Sequence, residues 1–162
     1  MGYENDHAWP KWLVSDQREA SGRPDVVAFV SEILTAPVKI SGRPIAHLVA
    51  STSGTDSDWV VKLIDVYPDG RAYNLDETIQ RVRYREGYDR QVFMEEGQIY
   101  EVEVSPMSTS NFFEAGHSLR IEVSSSNFPR FTRNLNTGGN NYDETEGVVA
   151  HNQVHHSAQY TS

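Results

Sequence analysis

The chain has 162 residues, of which 14 are Lys or Arg and 23 are Asp or Glu, so it carries a formal charge of −9. That length suits one domain able to bury about 70% of its unfolded surface without a metal or disulfide staple, and the absence of cysteine removes disulfides, thiol nucleophiles and cysteine metal sites. The acidic balance excludes a general nucleic-acid binder, which needs a basic face, and the 38% apolar content contains no run long enough to span a membrane.

Residues 1–24 read as an irregular lead-in arm punctuated by Pro10, Gly22 and Pro24. Trp9 and Trp12 in that arm are expected to dock on the body that follows. Met1 is followed by Gly-Tyr-Glu-Asn-Asp rather than by a basic and then apolar stretch, so no signal peptide is expected. From Asp25 the texture becomes strand-like. Val26 to Leu34, Ala46 to Ser53 and Trp59 to Tyr67 are apolar on both faces, with Lys62 and Asp65 as exceptions in the third. Such strands are expected inside a sandwich. Ser41-Gly42-Arg43-Pro44, Pro68-Asp69-Gly70 and Glu96-Gly97 carry turn chemistry. Asn74 to Gln80 is the best short-helix candidate, with Asn74 or Asp76 as its cap.

Two later segments alternate with a period of two. In Ile99 to Val104, Tyr100, Val102 and Val104 share one face, opposite Glu101 and Glu103. In Ser118 to Ser124, Leu119, Ile121 and Val123 are expected inside, with Arg120 and Glu122 outside. Residues 134–147 (NLNTGGNNYDETEG) read as a polar, glycine-rich surface loop. Several short strands with turns and no sustained helical period predict an all-β chain, a jelly-roll β-sandwich over residues 25–162.

Catalytic patterns are sparse. A serine hydrolase needs a nucleophile on a strained turn with a His and an acid nearby. Gly116-His117-Ser118-Leu119-Arg120 comes nearest, but lacks the second glycine and opens a strand, which makes His117 and Ser118 a turn-to-strand boundary. His151, His155 and His156 suggest a metal cluster only on a helix, whereas the segment reads extended. There, His151 and His155 would lie about 13 Å apart at ~3.3 Å per residue, too far for one ion. Asp56 and Asp58 in a glycine loop resemble an incomplete calcium loop, and the simpler expectation is that they accept backbone N–H bonds within their turn. Arg81, Arg83 and Arg85 alternate with Val82 and Tyr84, which on a strand would put three guanidinium groups on one face. They are either an anion or carbohydrate contact or, more simply, partners for acids such as Glu86, Asp89 or an aspartate elsewhere. Trp59 reads as core and offers no sugar-stacking platform. The residues therefore point to no catalytic, cofactor-binding or metal-ligating set.

Longer motifs carry more information. Ser53 to Gly70 (SGTDSDWVVKLIDVYPDG) resembles the signature hairpin of the C-terminal domain of X-Pro dipeptidyl-peptidases, α-amino-acid ester hydrolases and cocaine-esterase-like acyl hydrolases. Arg83-Tyr84-Arg85-Glu86-Gly87 is similar to the arginine-rich strand of that family. Phe113 to Ser126, continuing through Asn127-Phe128-Pro129-Arg130-Phe131-Thr132-Arg133-Asn134, resembles its most recognisable stretch. Val154-His155-His156-Ser157 is similar to its near-terminal histidine segment, and Met1-Gly2 and Trp9-Pro10 to its lead-in.

The resemblance implies a jelly roll of galactose-binding-like topology. It further implies a non-catalytic accessory domain that packs on an α/β-hydrolase domain and helps wall the substrate pocket. The parent would use a Ser-Asp-His triad lying before this domain, and no position here matches those residues. The parent reaction would be acyl transfer to serine and hydrolysis, releasing an X-Pro dipeptide or cleaving an amino-acid ester. Family members close with a short apolar strand, whereas this sequence stops at Tyr160-Thr161-Ser162. The expectation is a domain lacking its last strand, with an open sheet edge that favours homo-oligomers. The alternative reading is a free-standing carbohydrate-binding module. The partners expected are thus the catalytic domain and a second copy, with no nucleic acid, membrane or cofactor.

Overall fold

The apolar, β-branched run Asp58–Val66 forms the central strand of the protein, because both of its faces can be buried. In a computed structural model, which describes residues 14–160, it lies in a four-stranded antiparallel sheet. The strands in chain order are β1 (Val26–Val30), β2 (Val38–Gly42), β3 (Ala46–Thr52), β4 (Asp58–Val66) and β5 (Ala72–Arg81). They continue with β6 (Tyr100–Val104), β7 (Thr109–Phe113), β8 (Ser118–Ser124) and β9 (Asn152–Val154). A single turn of helix, α1 (Arg18–Ser21), precedes them. The sheets run β1-β8-β4-β5, β6-β3-β9 and β2-β7, and every pairing is antiparallel. The chain is an all-β sandwich.

The core lies between the first two sheets. Trp59, Val61, Leu63 and Val123 from one meet Leu48, Ala50, Val102 and Val104 from the other, with Met94 and Met107 closing the ends. The alternation expected in β6 is present: Val102 and Val104 are buried, Tyr100 is half-buried, and Glu101 and Glu103 are exposed. Pro68-Asp69-Gly70 makes the β4–β5 turn, where Tyr67 N donates to Arg71 O at 2.8 Å. Gly70 has φ +86°, a conformation that L side chains rarely adopt.

The opposite face of the four-stranded sheet departs from expectation. Glu122 is buried, and Arg120 is half-buried, rather than both facing solvent. Lys62 stands in register between Glu77 of β5 and Glu122 of β8. Its Nζ is 3.3 Å from Glu77 Oε2 and donates to Gln17 Oε1 at 3.2 Å. Arg130 Nη1 donates to Glu77 Oε1 at 2.5 Å, and Arg120 Nη2 is 3.1 Å from Glu122 Oε1. Ser21 of α1 donates to Glu122. A period of two marks the two faces of a strand but does not reveal that both are covered; here charges pair under the segment around α1.

Three other expectations are corrected. Asn74 to Gln80 is strand, not helix, because it lies within β5, which zips onto β4 through nine residue pairs with one irregularity at Leu63/Ile64. Asn74 Oδ1 instead accepts Ser15 N at 2.9 Å, and Asp76 Oδ2 accepts Ser108 N at 2.5 Å. The segment from Val26 to Leu34 is an edge strand that ends at Val30 and pairs only with β8, leaving Val27 and Val30 exposed. Residues 134–147 are not purely a surface loop, since Asn134 is buried and Leu135 to Gly139 are half-buried. Trp9, Trp12, Met1-Gly2, Pro10, Thr161 and Ser162 lie outside the described residues.

Candidate functional site

The most densely built polar cluster lies where β4 begins and β5 ends. Arg81, Arg83 and Arg85 do not share a strand face, because β5 stops at Arg81 and Val82–Tyr84 winds into a 3-10 turn. That turn carries Arg83 into the interior while Arg81 stays at the strand end. Asp56 and Asp58 are buried and their partners come from far along the chain, not from their own turn. Asp56 Oδ1 accepts Arg83 N at 3.0 Å and Oδ2 accepts Arg83 Nε at 2.7 Å. Arg83 Nη2 lies 2.6 Å from the same oxygen, in ionic contact without hydrogen-bond alignment. Asp58 takes Arg81 end-on through two bonds, Nε to Oδ1 at 2.9 Å and Nη2 to Oδ2 at 3.0 Å. The Asp58 carboxylate raises the Arg81 guanidinium above its ordinary range, against the opposing effect of burial.

Asn134 joins the two pairs, its Nδ2 donating to Asp56 Oδ2 at 2.7 Å and to Asp58 Oδ1 at 2.9 Å. Arg83 Nη1 donates to the carbonyls of Gly138 and Gly139 at 3.2 and 2.8 Å. Gly138 is needed there: its φ is +81°, and a Cβ would come within 3.0 Å of Thr55 Oγ1 and 3.2 Å of Phe93 Cε1. No local pattern marks Asn134 as a partner of both aspartates; its place at the head of a polar, glycine-rich stretch is the one sequence signal. Each carboxylate is thus matched by a guanidinium and a carboxamide. Chemically the cluster is a pinned, charge-balanced junction with no vacant ligand for a cation.

Arg85 folds back, Nη1 donating to Val82 O at 3.0 Å and to Val92 O, with its guanidinium 4.6 Å from the Tyr100 ring centroid and 3.7 Å from Glu86. Beside the junction opens a cleft of about 390 Å³, lined by Arg81, Arg83, Tyr84, Gln91 and residues 138–142. A second cleft, of about 520 Å³, lies over the outer side of β3 and β6 near His47, Val49, Glu101 and Tyr160.

The histidines go their separate ways. His117 is buried, its Nδ1 2.8 Å from Asp65 Oδ1 and its ring 4.3 Å from that of Tyr67. Ser118 begins β8 in ladder register with Val66, a strand start rather than a nucleophile elbow. His155 Nε2 is 2.9 Å from Ser51 Oγ, but Ser51 lies within the paired β3 and is 5% exposed. His156 meets the Phe29 ring edge-on, and the His151 N–H donates to Ser53 Oγ. Among the described residues, no three metal-ligating side chains converge.

The chain matches the X-Pro dipeptidyl-peptidase C-terminal non-catalytic domain over residues 4–162, and it belongs to that family. It is 43% identical over 150 residues to the cocaine esterase of Rhodococcus sp. (strain MB1 Bresler), covering 91% of this chain and 26% of that protein. Among solved structures it superposes on an α-amino acid ester hydrolase labelled with selenomethionine. The TM-score is 0.87 at 39% identity, over 91% of this chain and 26% of that one. An aminopeptidase from the marine sediment archaeon Thaumarchaeota archaeon gives a TM-score of 0.85 at 34% identity, over 98% and 28%. The chain thus spans about a quarter of the length of these relatives.

Proposed function

We propose that this chain is the accessory C-terminal lobe of a serine acyl hydrolase of the X-Pro dipeptidyl-peptidase or α-amino-acid ester hydrolase type. It packs on an α/β-hydrolase domain and helps wall the substrate pocket. The observation that supports this best is the pairing of family membership with partial coverage: the matched domain is non-catalytic and is about a quarter of each relative. The side chains agree with it. Asp56 and Asp58 are consumed by arginines, and His117 is closed between Asp65 and Tyr67. The purified chain is expected to release no p-nitroaniline from Gly-Pro-p-nitroanilide above background and to leave a fluorophosphonate probe unreacted. Turnover abolished by Ser118→Ala or Ser51→Ala would overturn the reading.

The lobe also has a place for a second copy. β1 is a sheet edge of five apolar residues with no charge, and it pairs only with β8. Val27 and Val30 are exposed, and Ile33 just beyond is 68% exposed. Natural edges are usually guarded by a charge, a proline or a bulge, and this one carries none. An antiparallel β1–β1 pairing is self-complementary about a two-fold axis. Light scattering is expected to show mass rising with concentration, and Val30→Lys is expected to return the particle to monomer. An unsubstituted chain that stays strictly monomeric at high concentration excludes the pairing.

A further inference from the structure

Aromatic and arginine side chains flank the cleft beside the junction, some lining it and others in contact with residues that do, and together they make a rim. Tyr88 is 78% exposed, Tyr142 86% and Phe128 66%. Contacts tie them together. Tyr88 stacks on Tyr84 with ring centroids 5.7 Å apart, and Tyr84 and Tyr142 both line the cleft. Asn141, next to Tyr142, donates through Nδ2 to Arg133 O at 2.9 Å, and the Arg133 guanidinium stands 6.0 Å from the Phe128 ring centroid. Arg133 is exposed and forms no ion pair among the described residues, although the chain as a whole is strongly acidic.

We infer that this rim is the surface by which the lobe docks on its catalytic domain, an inference that rests on the reading under Proposed function. Large exposed rings beside arginine are the composition of binding hot spots, because they bury much area at little conformational cost. The rim is also held ready. Asn134 is nailed to Asp56 and Asp58, the carbonyls of Gly138 and Gly139 to Arg83, and Thr132 O to Arg81 Nη2 at 3.2 Å. A surface ordered before contact loses less entropy on binding. The buried Asp56–Arg83 and Asp58–Arg81 pairs therefore have a use beyond stability: they fix the 132–142 segment as a rigid face.

The chemistry favours a protein partner over a glycan. The polar groups of the cleft are largely committed within the chain: Arg83 to Asp56 and the glycine carbonyls, Gln91 Nε2 to Tyr84 Oη, and Asn140 to Asp143 and Tyr142 N. A sugar needs a fan of free donors and acceptors under its ring, whereas burying rings needs only shape and dry contact. A surface that matches the rim would be apolar with a carboxylate opposite Arg133. The part of the relatives outside the matched quarter is long enough to supply such a surface.

The test grafts this chain in place of the matched segment of the Rhodococcus cocaine esterase and compares amide hydrogen exchange in the chimera with that of the chain alone. Exchange across residues 84–93 and 128–142 is expected to slow by about tenfold or more in the chimera. Tyr142→Ala combined with Arg133→Glu is expected to restore the faster exchange and split the thermal transition in two. The same pair of changes in the chain alone should leave its Tm unchanged, since both side chains are exposed. Protection on the outer side of β3 and β6 instead, or a chimera indifferent to the double change, overturns the placement while leaving the accessory-lobe reading intact. Shifts of the Tyr142 amide resonance on adding cellohexaose, xylohexaose or maltohexaose to the chain alone also overturn it. If the chimera does not fold, the same comparison is made on the chain co-expressed with the rest of the esterase. Absence of protection in both formats overturns this inference and the accessory-lobe reading together.

Discussion

At the scale of single residues, buried charge is the dominant feature. Asp56 is fully buried and the Arg83 side chain is 6% exposed, so each is the main compensation for the other's desolvation. Removing one partner leaves an unmatched charge in the interior. Asp56→Ala is expected to cost about 3–5 kcal/mol in urea unfolding, a large part of a domain's stability. Asp56→Leu combined with Arg83→Met is expected to cost less than the two single changes added together. Strict additivity would show that the pair is not coupled. The individual acids and arginines were visible in the sequence, and an aspartate elsewhere was among the partners expected for the arginines. Which aspartate met which arginine was not visible, because the contacts bridge 27 and 23 positions in the chain. Asn134, which reaches across 78 and 76 positions, gave still less sign of its role.

At the scale of elements, apolar runs and clean alternation are legible as strands, and polar strands are not. β6 shows its alternation because Glu101 and Glu103 meet water while Val102 and Val104 meet the core. Within β5, the polar residues Asn74, Asp76, Glu77 and Gln80 suggest a short, capped and solvated helix over 74–80. Tertiary pairing overrode that weak propensity: β4 is so apolar that its neighbour must supply a full ladder. The turn between them was legible, and it carries a prediction. Gly70 sits at φ +86° with open space around its Cα, so Gly70→Ala meets strain without a clash. The change is expected to lower stability by about 1–2 kcal/mol, read as a fall in Tm, with the strand pairing retained. An unchanged Tm would mean that the turn relaxes freely.

Also at this scale, the segment around α1 is held to β5 by Gln17 N donating to Ala72 O at 2.7 Å and by Ser15 N donating to Asn74 Oδ1. Asp16 sits between these contacts, bridged to Tyr73, and its hydrogen bond from the Arg18 side chain lowers its carboxyl below the ordinary 3.8. Asp69 at the hairpin turn is lowered in the same direction, first by the Arg71 backbone N–H and then by its side chain. Folding weakens proton binding at both groups. Their contribution is complete above about pH 3.8 and is lost as pH falls through the lowered folded values. Stability is therefore expected to drop on acidification below pH 4. Asp16→Asn is expected to flatten that drop, as measured by urea midpoints across pH 2–5. A wild-type slope retained in Asp16→Asn would remove Asp16 from the account.

At the scale of the whole molecule, charge is unevenly spent. In a chain of net charge −9, Arg81 and Arg83 are neutralised by buried aspartates, while Arg133, next to Thr132 whose carbonyl accepts Arg81 Nη2 at 3.2 Å, faces out. The acids of β6 lie on the outer side of the other sheet. The all-β sandwich, its central strand and its family were readable from local patterns, because alternation, turn residues and long motifs are properties of short stretches. The −9 charge, the lack of cysteine and the absence of a nucleophile elbow likewise followed from the residues alone. Only the tertiary structure decided that β5 is a strand, that both faces of β8 are covered, that β1 is an exposed edge, and that three alternating arginines go to three environments. The physical reason is common to all four. Burial and ion pairing are set by what lies opposite a residue in space, and in an antiparallel sandwich that neighbour is often 20 to 100 positions away in the chain.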